Sequence, residues 1–307
     1  MRELPCGSGR LPANNAAKPM SATSFRSSRR RPRWILLPLL VALTAPWMAA
    51  ATFPLPIPTR PTTFPLTRPT NEGVIMEWGE NRAGPGATSS VPAGLTGVVA
   101  ISDGTSHAVA LRADGTVVAF GRNEDNAGRT NVPVGLSNIV SVSAGRYHSL
   151  ALRNDGRVFA WGSSVAGRTA VPPGLIGVVA VSAGYNHNLA LRWDGNVIGF
   201  GASDFGQATP PPALNNAVGI AAGEFHSLAL RGDGTVVAWG RNSDGESDPP
   251  KWLRDVVAIA AGDGFSLALR YDGSIVHWGK QSLAPPATLD LAIALSATHN
   301  HALAVQS

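Results

Sequence analysis

The sequence predicts an all-β protein: a closed β-propeller of six blades, with seven the alternative, whose first and last strands complete one blade together. Three observations carry this expectation. A unit of about forty residues recurs along most of the chain; each unit holds alternating apolar runs joined through Asp-Gly; and 34 glycines and 24 prolines in 307 residues suit a fold of many tight turns.

The chain opens on a leader, residues 1–51. Arg26, Arg29, Arg30, Arg31 and Arg33 precede an apolar run from Trp34 to Ala51 that ends in Ala49-Ala50-Ala51. A basic stretch, an apolar stretch and a small-residue exit are the parts of an export signal, and the same run is close to the length of a membrane anchor. Pro38 and Pro46 interrupt it, so cleavage is read ahead of anchoring. Ser28-Arg29-Arg30 is a faint twin-arginine string, and Met20 is an alternative start that gives a signal of ordinary length. Residues 52–71 carry a proline every two to four positions and read as an extended tether, because proline lacks the amide donor and fixes φ.

The repeats occupy residues 72–305. Aromatic-Gly pairs begin at Trp78, Phe120, Trp161, Phe200, Trp239 and Trp278, spaced 42, 41, 39, 39 and 39 residues apart. A second mark falls at His107, His148, His187, His226 and His301, with Phe265 in the same place in the fifth unit. The clearest copy, Val218 to Gly240, reads VGIAAGEFHSLALRGDGTVVAWG. Its HSLAL and TVVAW runs are two strands joined at Asp233-Gly234, a tight turn that needs φ > 0, and the run before them is a third. The Val-Pro or Pro-Pro pairs at Val132-Pro133, Val171-Pro172, Pro211-Pro212 and Pro249-Pro250 suit a fourth, outer edge strand. The array starts with the second half of a unit and finishes with the first half. A strand over 73–79 is therefore expected to pair with one over 302–305 and hide both edges.

The net charge of +5 does not mark a nucleic-acid binder. Residues 1–51 hold eight Lys and Arg against one acid, which leaves 17 basic and 19 acidic residues for the rest. The clustered cations that displace counterions from nucleic acid are missing there. Cys6 is the only cysteine and lies in the leader, so the repeats have no disulfide or thiol nucleophile. No catalytic or cofactor motif occurs: neither G-x-S-x-G, nor H-E-x-x-H, nor a phosphate loop, nor a dinucleotide fingerprint. The loop from Asn123 to Gly128 lacks the alternating acids of a calcium site, and Asp244 and Glu246 read as loop residues. No catalytic residue, cofactor or metal is assigned.

The motif G-x-x-H-S-L-A-L-x-x-D-G-x-V-x-x-W-G, followed by a Gly-Gln or Gly-Arg loop, resembles the regulator of chromosome condensation repeat. The resemblance spans about residues 72–305 and recurs six times. The short unit with its GRTAVPPGL linker (Gly167 to Leu175) resembles the compact bacterial branch, which includes a propeller that inhibits β-lactamases. The best-known relatives have seven blades against six units here. The nucleotide-exchange factor of the family acts through a wedge insertion and basic surfaces, whereas this array has even spacing and no basic surplus, so exchange of guanine nucleotides is not carried over.

Within the repeats, the tryptophans, Phe120 and Phe200 read as core between blades, and the histidines as architectural, because equivalent positions on successive blades spread around a ring. His277, His299 and His301 form a loose cluster, the weakest of the candidates for metal. Arg112, Arg153, Arg192, Arg231 and Arg270 stand just before each turn and are expected to pair with groups of their own hairpin. The residues between the strand-ending glycine and the histidine vary: Arg146-Tyr147, Tyr185-Asn186, Glu224-Phe225 and Asp263. All units place this turn at one end of the ring, so these seven residues are the candidate partner-binding face. The expectation is a secreted or periplasmic, monomeric, non-catalytic propeller that binds a protein, touching membrane only through an uncleaved leader. The alternatives are an inhibitor of a cell-wall-directed enzyme such as a β-lactamase, and a carbohydrate-binding or enzymatic propeller.

Overall fold

The computed structural model describes Gly73 and residues 91–123, 127–280, 285–286, 289 and 291–306. The leader, the proline-rich tether, Trp78, the strand expected after Gly73, and Glu124 and Asp125 lie outside the described residues. Among the described residues one 3-10 turn, Val165–Gly167, is the sole helical element, and no helix is long and apolar enough to cross a membrane.

Among the described residues seventeen strands form six antiparallel sheets. The first is β1 (Val98–Asp103), β2 (His107–Arg112) and β3 (Val117–Gly121); the second is β4 (Ile139–Ala144), β5 (His148–Arg153) and β6 (Val158–Gly162). The third is β7 (Val178–Ala183), β8 (His187–Arg192) and β9 (Val197–Gly201), and the fourth is β10 (Ala217–Ala222), β11 (His226–Arg231) and β12 (Val236–Gly240). The fifth is β13 (Val256–Ala261), β14 (Phe265–Arg270) and β15 (Ile275–Gly279), and the sixth is a pair, β16 (Ala292–Thr298) and β17 (His301–Gln306). Strand order in each sheet follows chain order, as hairpin connections dictate.

Among the described residues the expected outer edge strand is not formed. After Val132-Pro133 and Val171-Pro172 the chain closes turns instead, with Leu136 N–H on the Pro133 carbonyl at 3.3 Å and Leu175 N–H on the Pro172 carbonyl at 3.2 Å. A proline at the would-be edge cannot donate to a ladder, and the turn uses the carbonyl that remains.

The middle strands are buried on both faces because each sheet is packed face to face against its neighbours. The core is accordingly divided among the sheet interfaces. One cluster joins Val179, Leu189 and Leu191 of the third sheet to Ile220, Ala229 and Trp239 of the fourth, and the next joins Leu228 and Leu230 to Ile259, Ala268 and Trp278. Each buried leucine or tryptophan contributes about 2–3 kcal/mol.

Backbone geometry repeats with the sequence. The residue before each first strand has left-handed φ, and it is Gly97, Asn138, Gly177, Asn216 and Asp255, types that tolerate this region, then Leu291 in the terminal unit. From there the chain meets the preceding hairpin: Ile139 N–H donates to Gly115 O, Val178 to Gly156 O, Ala217 to Gly195 O and Val256 to Gly234 O, each at 3.1 Å. At the other end of the first strands a glycine allows neighbouring sheets to converge. A Cβ on Gly184 would lie 2.5 Å from the Gly223 carbonyl oxygen and 2.6 Å from its own sheet's His187 ring. Segments 101–105, 142–146, 181–185, 221–224, 259–262 and 296–299, from the first strands of all six sheets and the turns after them, line one narrow cavity of about 120 Å³.

Candidate functional site

The histidines knit one sheet to the next. His107 Nε2 lies 2.8 Å from Ser149 Oγ, His148 Nε2 2.6 Å from Asn188 Oδ1, His187 Nε2 2.9 Å from Ser227 Oγ, and His226 Nε2 2.9 Å from Ser266 Oγ. Ser227 and Ser266 donate onward to the carbonyls of Gln207 and Glu246, at 2.9 and 2.8 Å, so their oxygens accept from the histidines and each ring carries its proton on Nε2. The Nδ1 atoms of all four rings are buried without a hydrogen-bond partner. Protonating them would strand a buried cation, and burial holds His107 and His187 down at about 3 and His148 and His226 at about 4. Where the fifth sheet has Phe265, the sixth has Ala302 in the serine position, so the relay stops at both partners together. His301 differs from the other four: it is exposed, at the free end of the two-stranded sheet.

Sequence reasoning passed over the residue after the loop glycine, which is Arg129, Arg168, Gln207 and Glu246 in successive units. All four are buried, at 4%, 7%, 1% and 0% exposure. Three of their carbonyls receive the next sheet's tryptophans, Trp161 Nε1 on Arg129 at 3.0 Å, Trp239 on Gln207 at 2.8 Å and Trp278 on Glu246 at 2.9 Å, and the Arg168 carbonyl accepts from Asn188 Nδ2 at 2.8 Å. Glu246, read from the sequence as a loop residue, lies in a loop and is enclosed there. It accepts from Arg241 Nε at 2.7 Å and from the Asp244 amide at 2.8 Å, and these bonds outweigh burial and keep its pKa low. The Gly-Arg and Gly-Gln strings were the available signal, but nothing local announces burial of their side chains.

The variable turns converge. Tyr147 and Tyr185 meet edge to face with centroids 6.2 Å apart, Tyr185 and Phe225 lie 5.3 Å apart, and Phe205, exposed and absent from the sequence-based set, extends the row at 5.5 Å from Phe225. Arg146 lies 4.8 Å from the Tyr147 ring centroid and 4.1 Å from that of Tyr185, while Arg129 and Arg168 flank Tyr147 at 5.1 and 4.9 Å. The result is a cationic end around Tyr147, bordered by an open hollow of about 590 Å³ between Tyr147, Ser164 and Arg168. Asn186 contributes its carbonyl, which accepts from Ala202 N–H at 2.8 Å.

The opposite end is acidic. Glu224, Asp263 and His299 bring their ligand-type atoms within 4.8 Å of one another. His299 Nδ1 is 3.2 Å from Glu224 Oε2, and Arg241 donates to Asp263 Oδ1 at 3.1 Å. Burial, then the neighbouring Asp263 charge, raises the Glu224 pKa to about 7. Of the loose grouping of His277, His299 and His301, His277 stacks on Phe265 at 6.1 Å and His299 lies with two carboxylates. Of the arginines before the turns, Arg153 pairs with Asp155 at 2.7 Å and Arg270 with Asp272 at 3.0 Å inside their hairpins, while Arg112 and Arg270 also reach outside them, donating through Nε to the Thr96 and Arg254 carbonyls at 3.1 and 3.2 Å.

Radially repeated antiparallel sheets, with cores between them and variable turns gathered at one end, define a β-propeller of repeat modules. The model of the regulator of chromosome condensation (RCC1) repeat matches five times, over residues 98–127, 139–168, 178–207, 217–246 and 256–282, and the chain belongs to that repeat family. Among solved structures it is similar to yeast RCC1 (Prp20) bound to Kap60, with 21% identity, 68% of each chain covered and a TM-score of 0.53. It is likewise similar to Prp20p of Saccharomyces cerevisiae, with 20% identity, 68% of this chain and 70% of that one covered, and a TM-score of 0.55. The ectodomain of the Arabidopsis thaliana receptor kinase ACR4 gives 24% identity, 71% and 78% coverage and a TM-score of 0.57. No curated protein sequence matches the chain.

Proposed function

We propose that this chain is an exported, non-catalytic propeller of six blades that captures a protein partner on the face formed by its variable turns. The observation that carries the reading is the continuous row Tyr147, Tyr185, Phe225 and Phe205, interleaved with Arg146 and set between a cationic and an acidic end. Aromatic and arginine side chains supply most interface energy, and charges of opposite sign at the two ends orient a partner. The complementary surface carries acidic groups opposite Arg129, Arg146 and Arg168 and basic groups opposite Asp244 and Asp263.

Closure into a ring is supported by the cavity shared by all six first strands, and by Gly73, whose N–H donates to Val98 O at 2.7 Å. That contact places an Asx/Glx-Gly glycine against the start of the next first strand, the pair of positions that Gly115 and Ile139 occupy, although there the glycine carbonyl accepts from the strand N–H. The narrowness of the shared cavity, well below the roughly 300–1,000 Å³ of small-molecule sites, favours a binding surface over a central catalytic pocket. Export rests on the basic-then-apolar leader ending in Ala49-Ala50-Ala51. Among the similar structures, yeast RCC1 is seen bound to Kap60, and Prp20p is described by its binding to Gsp1p and histones. That likeness carries the fold, and the binding reading rests on this chain's own face.

The test is capture from the native extracellular or periplasmic fraction by the wild type and by a Tyr147→Ala, Tyr185→Ala, Phe225→Ala triple variant. Loss of the captured protein with an unchanged thermal transition is expected; undiminished capture by the folded variant refutes the face. Assay of the captured protein's own activity, with and without the propeller, separates an inhibitor from a scaffold.

A further inference from the structure

Glu224 and His299, the first residues of the variable turns in the fourth and sixth blades, line the central cavity, and Asp263, their equivalent in the fifth blade, directly follows the cavity-lining Gly262. The Glu224 side chain is only 10% exposed, and its Oε2 atom is buried and accepts no hydrogen bond, yet it faces His299 Nδ1 at 3.2 Å. The charges nearby do not balance. Arg241 reaches Asp263 at 3.1 Å, but the same guanidinium is held at 2.7 Å by the wholly buried Glu246. Arg146 lies over the two tyrosine rings. Asp244 also lies 3.9 Å from Arg241, so four carboxylates share two cations, with an imidazole beside them.

We propose that Glu224, Asp263 and His299 form a binding site for a divalent transition-metal ion, zinc by preference, that ties blades four, five and six together. One imidazole and two carboxylates are a donor set for such ions, and bonds of about 2.0–2.2 Å place tetrahedral donors roughly 3.3–3.6 Å apart. The Glu224–His299 pair already has nearly that spacing, and rotation of the Asp263 carboxyl away from Arg241 closes the remainder. The ion supplies the missing positive charge and gives the buried Oε2 a partner. It also anchors the two-stranded β16–β17 sheet to its neighbours, a role independent of what binds the aromatic row.

The experiment uses the untagged, full-length protein, stripped with EDTA and dialysed against Zn²⁺, with metal content and thermal unfolding as readouts. The wild type is expected to retain about one zinc per chain and to melt roughly 5–10 °C higher at zinc concentrations near 100 times Kd. Glu224→Gln and His299→Gln, each checked for an unaltered circular dichroism spectrum, are expected to lose both effects. His301→Ala, which removes an exposed histidine two residues away, is expected to keep them. Zinc retention below about one-tenth per chain, undiminished binding by either Gln variant, or a preference for Ca²⁺ over Zn²⁺ would overturn the assignment.

Discussion

Four imidazoles buried in their neutral form make the propeller acid-labile well above the range of ordinary carboxylates. A histidine titrates at 6.5 when unfolded, whereas burial holds the folded rings at about 3 or 4. The unfolded chain then binds more protons, so stability is full above pH 6.5, falls as the pH drops below it, and stops falling near the folded values. At pH 5 each ring costs about 2 kcal/mol at 1.36 kcal/mol per pH unit, or about 8 kcal/mol for four. Glu224, raised to about 7, works in the opposite direction by about 3 kcal/mol. The net loss of about 5 kcal/mol is a large part of a domain's usual 5–15 kcal/mol. The turn aspartates Asp155, Asp233 and Asp272 act only in stronger acid, because hydrogen bonds from Arg153, Thr235 and Ser274 hold them below the usual range. Urea unfolding in EDTA between pH 7.5 and 4.5 should show an uptake of about three protons. His187→Phe, which copies Phe265, should lower that number by one while costing about 1–3 kcal/mol at pH 7.5, because the Ser227 oxygen loses its donor and keeps only its own bond to the Gln207 carbonyl. A stability that stays flat down to pH 5, or an unchanged slope in the variant, would refute the neutral-relay argument.

Two other substitutions probe the packing between blades. Gly184→Ala forces a methyl against the Gly223 carbonyl and the His187 ring, and should cost about 1–3 kcal/mol by urea unfolding; a cost under about 0.5 kcal/mol would mean the blades are not in close contact there. Glu246→Ala leaves Arg241 without its buried partner and should cost about 3–5 kcal/mol, whereas Glu246→Gln should cost less because Gln207 fills the equivalent place one blade earlier; equal costs for the two variants would disprove that account.

Sequence alone determined the three strands of each described sheet from the first to the fifth and their hairpins, because each is written in local terms: alternation with period two and Asp-Gly at turns that need φ > 0. It also separated the variable turns from the architectural tryptophans. What it could not express is convergence. Glu224, Asp263 and His299, 39 and 36 positions apart in sequence, bring their ligand-type atoms within 4.8 Å of one another. The same holds for Glu246, a charged residue in a polar loop whose burial is imposed by the next blade laid over it. Sheets packed face to face bring their first strands together around the narrow cavity, and there tertiary packing, not local pattern, decides which charges meet.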